Sequence, residues 1–377
     1  MLKIAILRVA LLSLLFSQGT TASETVSVYF GTAQDGGIHH ALFNEASGQL
    51  SPPERVADIP RAGFIAIHPG GQYLYATTQA YEKPYPGGVA AFKINPDHSL
   101  TLLNTQPTEG RGTCHVNVDR TGHTLMATNY GSRNIAAFSI LEDGSLMRAN
   151  SVHQHEGAGE HPRRQKKSHP HSIFPNPANT YAYVPDLGID KIMIYQLNPV
   201  AATLTPAGQA EVSGGAKGPR HLKFSADGRF AYVLNELSLE VSVFEADAAT
   251  GELIHHSTVS TLGDRSAIEG MSGSEIRIHP NGKFIYTANR DVQKSGRDSI
   301  TSFAVKANGA LELLANTPAE VSIPRNFNIS PSGQWMLVGG QASNDISIFR
   351  VDSTSGTLSF TGQKIPFEGR PICIEFR

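Results

Sequence analysis

The chain is short of several things. It has two cysteines, Cys114 and Cys373, in 377 residues, too few for a disulfide framework. Charge is sparse and nearly balanced: 17% of residues are charged, and 31 basic side chains meet 33 acidic ones for a formal net of −2. A general nucleic-acid binder carries a basic surplus to neutralise phosphates, so no nucleic-acid partner is expected. No apolar run is long enough to cross a bilayer. With 40% hydrophobic residues, the composition also excludes a disordered chain, a coiled coil and a collagen-like fibre. What is plentiful is turn formers, 36 glycines and 22 prolines.

The first 22 residues read as an export signal. Lys3 and Arg8 precede the short apolar run Val9 to Phe16, and Thr20-Thr21-Ala22 supplies small residues for cleavage. The expected mature chain, residues 23–377, is a single exported domain, periplasmic or secreted, with no lasting membrane association and no partner subunit.

That chain repeats itself. An apolar strand, a Pro/Gly/Asn/Asp turn and a second apolar strand recur, with the turn residue at Gly71, Gly122, Asn179, Gly228, Gly282 and Gly333. The turn needs a positive φ, which glycine adopts freely and asparagine tolerates. A second half follows each copy: an alternating strand, a polar turn and a leucine opening a last strand, as in Val89 to Leu100 or Ile300 to Leu311. This half also occurs at Ile38 to Leu50, before any complete first half. The missing strand lies at the other end, Pro371 to Phe376. Units of four strands about fifty residues apart predict an all-β, seven-bladed β-propeller with four antiparallel strands per blade. The C-terminal strand would close the ring against the N-terminal strands and remove an exposed edge. Cys114 and Cys373 would then sit in non-neighbouring blades, as two small buried thiols.

In such a ring the tight turns share one face. The loops leading into the first strand and out of the second share the other, where loop variation can carry a site. After the second strand, one column reads Gln79, Tyr130, Leu187, Glu236, Arg290, Gln341. Entering the first strand, Arg220 and Arg325 stand where other units have Gly63, Cys114, Pro170, Ser274 and Ile372. The next column holds His115, His171, His221 and Glu275. Charged residues that break a repeat on one face are site candidates. The insertion His153 to His171 adds five histidines and a basic run, Arg163, Arg164, Lys166 and Lys167. His169 and His171 are two apart and point to opposite sides if extended, and no Cys or second His pair completes a tetrahedral set. No metal or other cofactor is therefore expected, and the basic run reads as a solvated loop.

Several motifs resemble those of the propeller-type 6-phosphogluconolactonases: His161-Pro162-Arg163-Arg164-Gln165, His169-Pro170-His171-Ser172, Gly218-Pro219-Arg220-His221, Leu234-Asn235-Glu236-Leu237, Ala288-Asn289-Arg290 and Pro324-Arg325-Asn326-Phe327. The resemblance extends to fungal 3-carboxy-cis,cis-muconate lactonizing enzymes. The lactonase resemblance implies hydrolysis of a small-molecule sugar lactone; the proposed site of the muconate relatives, a histidine, two arginines and a glutamate, corresponds to His171, Arg220, Arg290 and Glu236. His169, Asn235, Arg325, His115 and Gln341 are the expected substrate-binding residues. Lactone hydrolysis needs an activated water, a stabilised oxyanion and a proton for the leaving alkoxide. Glu236 or His171 would activate the water and the other would return the proton, while Arg220 and Arg290 hold oxyanions. No Gly-x-Ser-x-Gly elbow is present, which argues against a serine acyl-enzyme. A lactone-forming cyclase or isomerase, a non-catalytic binding propeller and a calcium-dependent variant using Asp186, Asn235 and Glu236 are the alternatives.

Overall fold

The computed structural model describes residues 25–33, 36–79, 87–263 and 268–377; the segment read as an export signal lies outside them. The described residues contain strands and turns and no helix. They form seven antiparallel sheets, each built from an inner strand outward. Blade 5 shows the plan: Pro219–Phe224, Phe230–Asn235, Glu240–Ala246 and Leu253–Ser260, paired in order.

Ring closure follows the sequence reading. Pro371–Phe376 pairs antiparallel with Thr25–Thr32, with Val28 opposite Phe376 and Phe30 opposite Ile374. Blade 1 thus takes its inner strand from the C-terminal end of the chain. Its outermost strand is split into Gln49–Leu50 and Glu54–Ala57, both paired with Ile38–Asn44.

The hydrophobic core lies between blades rather than at the centre. Seven of the apolar clusters each draw on two adjacent blades, one cluster per junction. A strand buried on both faces reads as a near-continuous apolar run, as Tyr232-Val233-Leu234 does. Tyrosines stitch the junctions: Tyr75, Tyr183 and Tyr286 donate to the carbonyls of Gly144, Gly251 and Gly356 in the next blade, at 2.9–3.0 Å. The recurring turn adopts the expected geometry, φ 70° at Gly71 and 59° at Asn179.

The inner strands wall a central channel, and their register sorts the channel-facing residues into three tiers. A β-bulge interrupts the first pairing in five blades, and the extra residue is Cys114, Arg220, Ser274, Arg325 or Ile372. A bulge re-aims a side chain. In blade 4 the inner strand shortens to Phe174–Pro175. There Phe174 pairs with Tyr183 as Lys223 pairs with Tyr232 in blade 5. Pro170 bridges Asp186 while the His171 amide reaches the Pro185 carbonyl. The equivalent of Arg220 is therefore His171, not Pro170, which corrects the column alignment by one residue. The upper tier is Gly63, Cys114, His171, Arg220, Ser274, Arg325 and Ile372. The middle tier is Phe64, His115, Ser172, His221, Glu275, Asn326 and Cys373. The lower is Ala66, Asn117, Phe174, Lys223, Arg277, Asn328 and Glu375.

Both cysteines are free. Cys373 is buried as expected; Cys114 is partly exposed and lines the upper cavity.

Candidate active site

The upper tier opens into a cavity of about 330 Å³. His171, Arg220, Arg325, Cys114, Gly63 and Ile372 line it, with Gln79 and Gln341 from the ends of second strands and Arg61 and Arg370 from adjoining loops. Among the described residues that line it, four are arginines and none is acidic.

Among the described residues the carboxylate in reach is Glu236, which sits behind that lining and is 4% exposed. Its Oε2 accepts from Arg220 Nε at 3.0 Å, Arg290 Nη2 lies 3.4 Å away and His171 Nε2 3.9 Å. Its Oε1 accepts from Arg164 Nη2 at 2.7 Å. Burial alone would push the carboxyl up, but Arg290, Arg220, His171 and Arg164 together hold it well below the usual carboxylate range.

Each guanidinium is placed differently. Arg220 also lies 3.1 Å from His221 Nε2 and donates to the Ser274 carbonyl. Arg290 is 6% exposed and turns away from the cavity; its Nη2 donates to Ser272 Oγ at 2.6 Å and the Gly273 carbonyl at 2.7 Å. Arg325 makes no hydrogen bond or ion pair among the described residues. Burial, then repulsion from Arg220, pushes its pKa down to about 10, where it still keeps its charge at neutral pH.

His171 is 5% exposed and its Nδ1 has no hydrogen-bond partner among the described residues. Burial first and the Arg220 charge second push its pKa well below the ordinary histidine value, against a smaller pull from Glu236. The imidazole is neutral at neutral pH and can accept a proton.

The inserted segment is held from beneath. Asp186 Oδ1 accepts from the His169 amide at 2.5 Å and the Gly188 amide at 3.0 Å; its Oδ2 lies 2.8 Å from His155 Nδ1, and His155 Nε2 lies 2.9 Å from the Tyr195 hydroxyl. Ser168 Oγ donates to the His155 carbonyl. These contacts fix the backbone that carries His169 and His171.

The other expected binding residues divide. Gln341 and Arg325 line the cavity. His169 stacks on Tyr130 at 4.1 Å beside it. Asn235 is fully buried and donates to Ser242 Oγ. His115 is fully buried in the middle tier, 4.3 Å from the Phe64 ring, and faces the lower chamber. Sequence reasoning missed Arg164, which was assigned to a solvated run; Arg163, Lys166 and Lys167 are exposed, but Arg164 turns inward to Glu236 and to the Tyr130 hydroxyl at 3.2 Å. Tyr130 was missed too, although it was visible as the lone aromatic in its column.

Among the described residues no group of three or more His, Cys, Asp or Glu side chains could hold a metal. Of the oxygens suggested for calcium, those of Asp186 and Glu236 are engaged and Asn235 Oδ1 has no partner among the described residues; the three arginines around Glu236 would repel a cation.

Comparison with known proteins gives a consistent result. Residues 27–376 match the family described as lactonase, 7-bladed beta-propeller. A 6-phosphogluconolactonase of Formosa agariphila is 34% identical over 341 residues, 88% of this chain and 92% of that protein. One of Bacillus subtilis is 32% identical, covering 92% and 97%. Among solved structures, the periplasmic gluconolactonase PpgL of Pseudomonas aeruginosa superposes with a TM-score of 0.85 at 27% identity, over 93% of this chain and 99% of that one.

Proposed function

The chain belongs to the lactonase family of seven-bladed β-propellers, and on that premise we propose that it hydrolyses a sugar lactone to the aldonic acid in the upper cavity, without a metal. One observation carries the reading: among the described residues, four arginines and the neutral His171, with no acidic residue, line the cavity. Lactone opening generates an oxyanion and ends in a carboxylate, so such a wall favours the transition state and can bind the product.

The proposed chemistry uses His171 as the base. Its neutral imidazole takes a proton from water as the hydroxide adds to the lactone carbonyl. Arg220 holds the oxyanion. As the ring C–O bond breaks, the imidazolium returns the proton to the leaving alkoxide. Glu236 is engaged by Arg164, Arg220 and Arg290 and stands behind the cavity lining, so it is not assigned as the base. Its role is to orient Arg220 and to offset the positive charge that His171 gains in the transition state. Arg290 holds Glu236 in turn and positions rather than binds substrate.

Arg325, Arg61 and Arg370 line the cavity and have no acidic partner among the described residues. They suit a second anionic group, so a lactone bearing a phosphate is the favoured substrate. An unphosphorylated aldonolactone is the second reading. It is favoured by the N-terminal segment, which we read as an export signal removed after residue 22, and by the name of the periplasmic relative. Sequencing the N-terminus of the recovered protein tests the export reading. A pH-stat assay of aldonolactones with and without a 6-phosphate, in chelator, decides the substrate. The expected result is a kcat/KM preference of about tenfold or more for the phosphate ester, lost in Arg325→Gln. No turnover of either lactone overturns the proposal.

A further inference from the structure

The channel has a second chamber, of about 450 Å³, opening on the opposite face. The middle tier separates the two: the Phe64, His115 and His221 rings pack with centroids 4.3–5.8 Å apart. Lys223 is the only lysine lining the lower chamber. Its Nζ lies over the Phe174 ring, 4.1 Å from the centroid. It makes no hydrogen bond or ion pair among the described residues.

The reason is competition. Arg277, from the next blade, binds Glu375 at 2.7 Å and lies 3.8 Å from Glu275, so both nearby carboxylates are already engaged. Glu275 is shared further with His221 and Asn326. Arg377 at the chamber wall spends its Nε on the Gly71 carbonyl. Burial first, then the Arg277 charge, lowers the Lys223 pKa to about 8, against weaker opposing pulls from Glu275, Glu375 and Cys373. A large share of the amine is therefore unprotonated at mildly alkaline pH, which is rare for lysine.

We propose that Lys223 is an acylation site for lactones and other reactive acyl compounds that enter the lower chamber. The amine nitrogen attacks the lactone carbonyl carbon, a C–N bond forms, and the ring C–O bond breaks. The proton leaving nitrogen ends on the ring oxygen, giving an amide and a free hydroxyl with no other reactant. The amide removes one positive charge from the lower chamber and leaves a polyhydroxy chain there. The choice of lactone as the natural acyl donor rests on the function proposed above; the reactivity of the amine does not.

The test maps acylated lysines in the intact chain by peptide mass spectrometry. One arm uses glucono-δ-lactone and the other N-hydroxysuccinimidyl acetate. Lys223 is expected to react about tenfold faster near pH 8 than exposed Lys93, Lys283 and Lys364. Its rate should level off above its titration. Lys223→Arg should lose that adduct and keep the others. If Lys223 reacts no faster than the exposed lysines with either reagent, the proposal is overturned. Reaction with the acetyl ester but not the lactone overturns the lactone as donor. Repeating the lactone arm in His171→Ala separates the proposals: an adduct there is independent of hydrolysis.

Discussion

The two chambers share one wall. The same inner strands pass from the upper tier to the lower, yet charge is handled in opposite ways. In the lower chamber Arg277 is matched by Glu375 and Glu275, exposed Arg377 donates to the Gly71 carbonyl, and Lys223 is left over. In the upper one a single described carboxylate, Glu236, faces Arg164, Arg220, Arg290 and His171, while Arg325 has no partner among the described residues. Folding alone gains nothing from unmatched buried cations, since desolvating a charge costs several kcal/mol. The imbalance makes sense as a site completed by an anion. The difference arises locally: a bulge in the upper tier turns an extra side chain inward, whereas the lower tier lies on regular ladder.

The largest expected break in this contrast is His171→Ala. If the neutral imidazole is the base, kcat/KM should fall about 10²–10⁴-fold with the unfolding midpoint little changed. The pH profile sharpens the test. A histidine pKa held well below 6.5 keeps the wild-type rate level through neutrality, with its acid limb displaced below the ordinary histidine range. Loss of rate near pH 6.5 or above, measured as kcat/KM, would reject His171 as the base.

Glu236→Gln comes next and tests the upper cluster as a structural unit. Removing the only anion leaves Arg220, Arg290 and Arg164 facing one another, and stability at neutral pH should drop about 3–5 kcal/mol in denaturant titration. The sign with pH is fixed by the depressed carboxyl. Its contribution is fully present above the unfolded value, about 4.3, and is lost as pH falls from there toward the low folded value. The gap between wild type and Glu236→Gln should therefore shrink on acidification below about pH 4. A gap that widens in acid would show that Glu236 is not held as an anion.

Much of this was legible beforehand, for identifiable reasons. The repeat gave the blades, because turn glycines and alternating strands recur at a spacing that one blade requires. Glu236 and Arg290 were visible as the lone carboxylate and lone guanidinium in their column. His171 was placed one residue out of register. The cause is physical: the insertion ahead of it shortens the inner strand to Phe174–Pro175, so the pattern offered too little strand to fix the alignment. Arg164 was lost in a basic run because sequence does not say which of four neighbouring cations turns inward. Lys223 carried no signal, since its character comes from its burial in the folded channel and then from Arg277 in another blade.

The smallest effect is expected in the lower chamber, and its smallness is informative. Lys223→Met should leave turnover within about twofold, because the middle tier lies between it and His171. Its effect on stability at neutral pH should be within about 1 kcal/mol, as the lost contact with Phe174 and the relieved desolvation oppose each other. The pH slope separates them. Between the folded value of about 8 and the unfolded value of about 10.4, the unfolded chain holds a proton that the folded one has released. Wild-type stability should therefore gain over that window relative to Lys223→Met, read as a diverging difference in unfolding midpoints. Parallel curves would mean that Lys223 keeps its proton like a surface lysine, and the contrast between the chambers would then reduce to the cluster around Glu236.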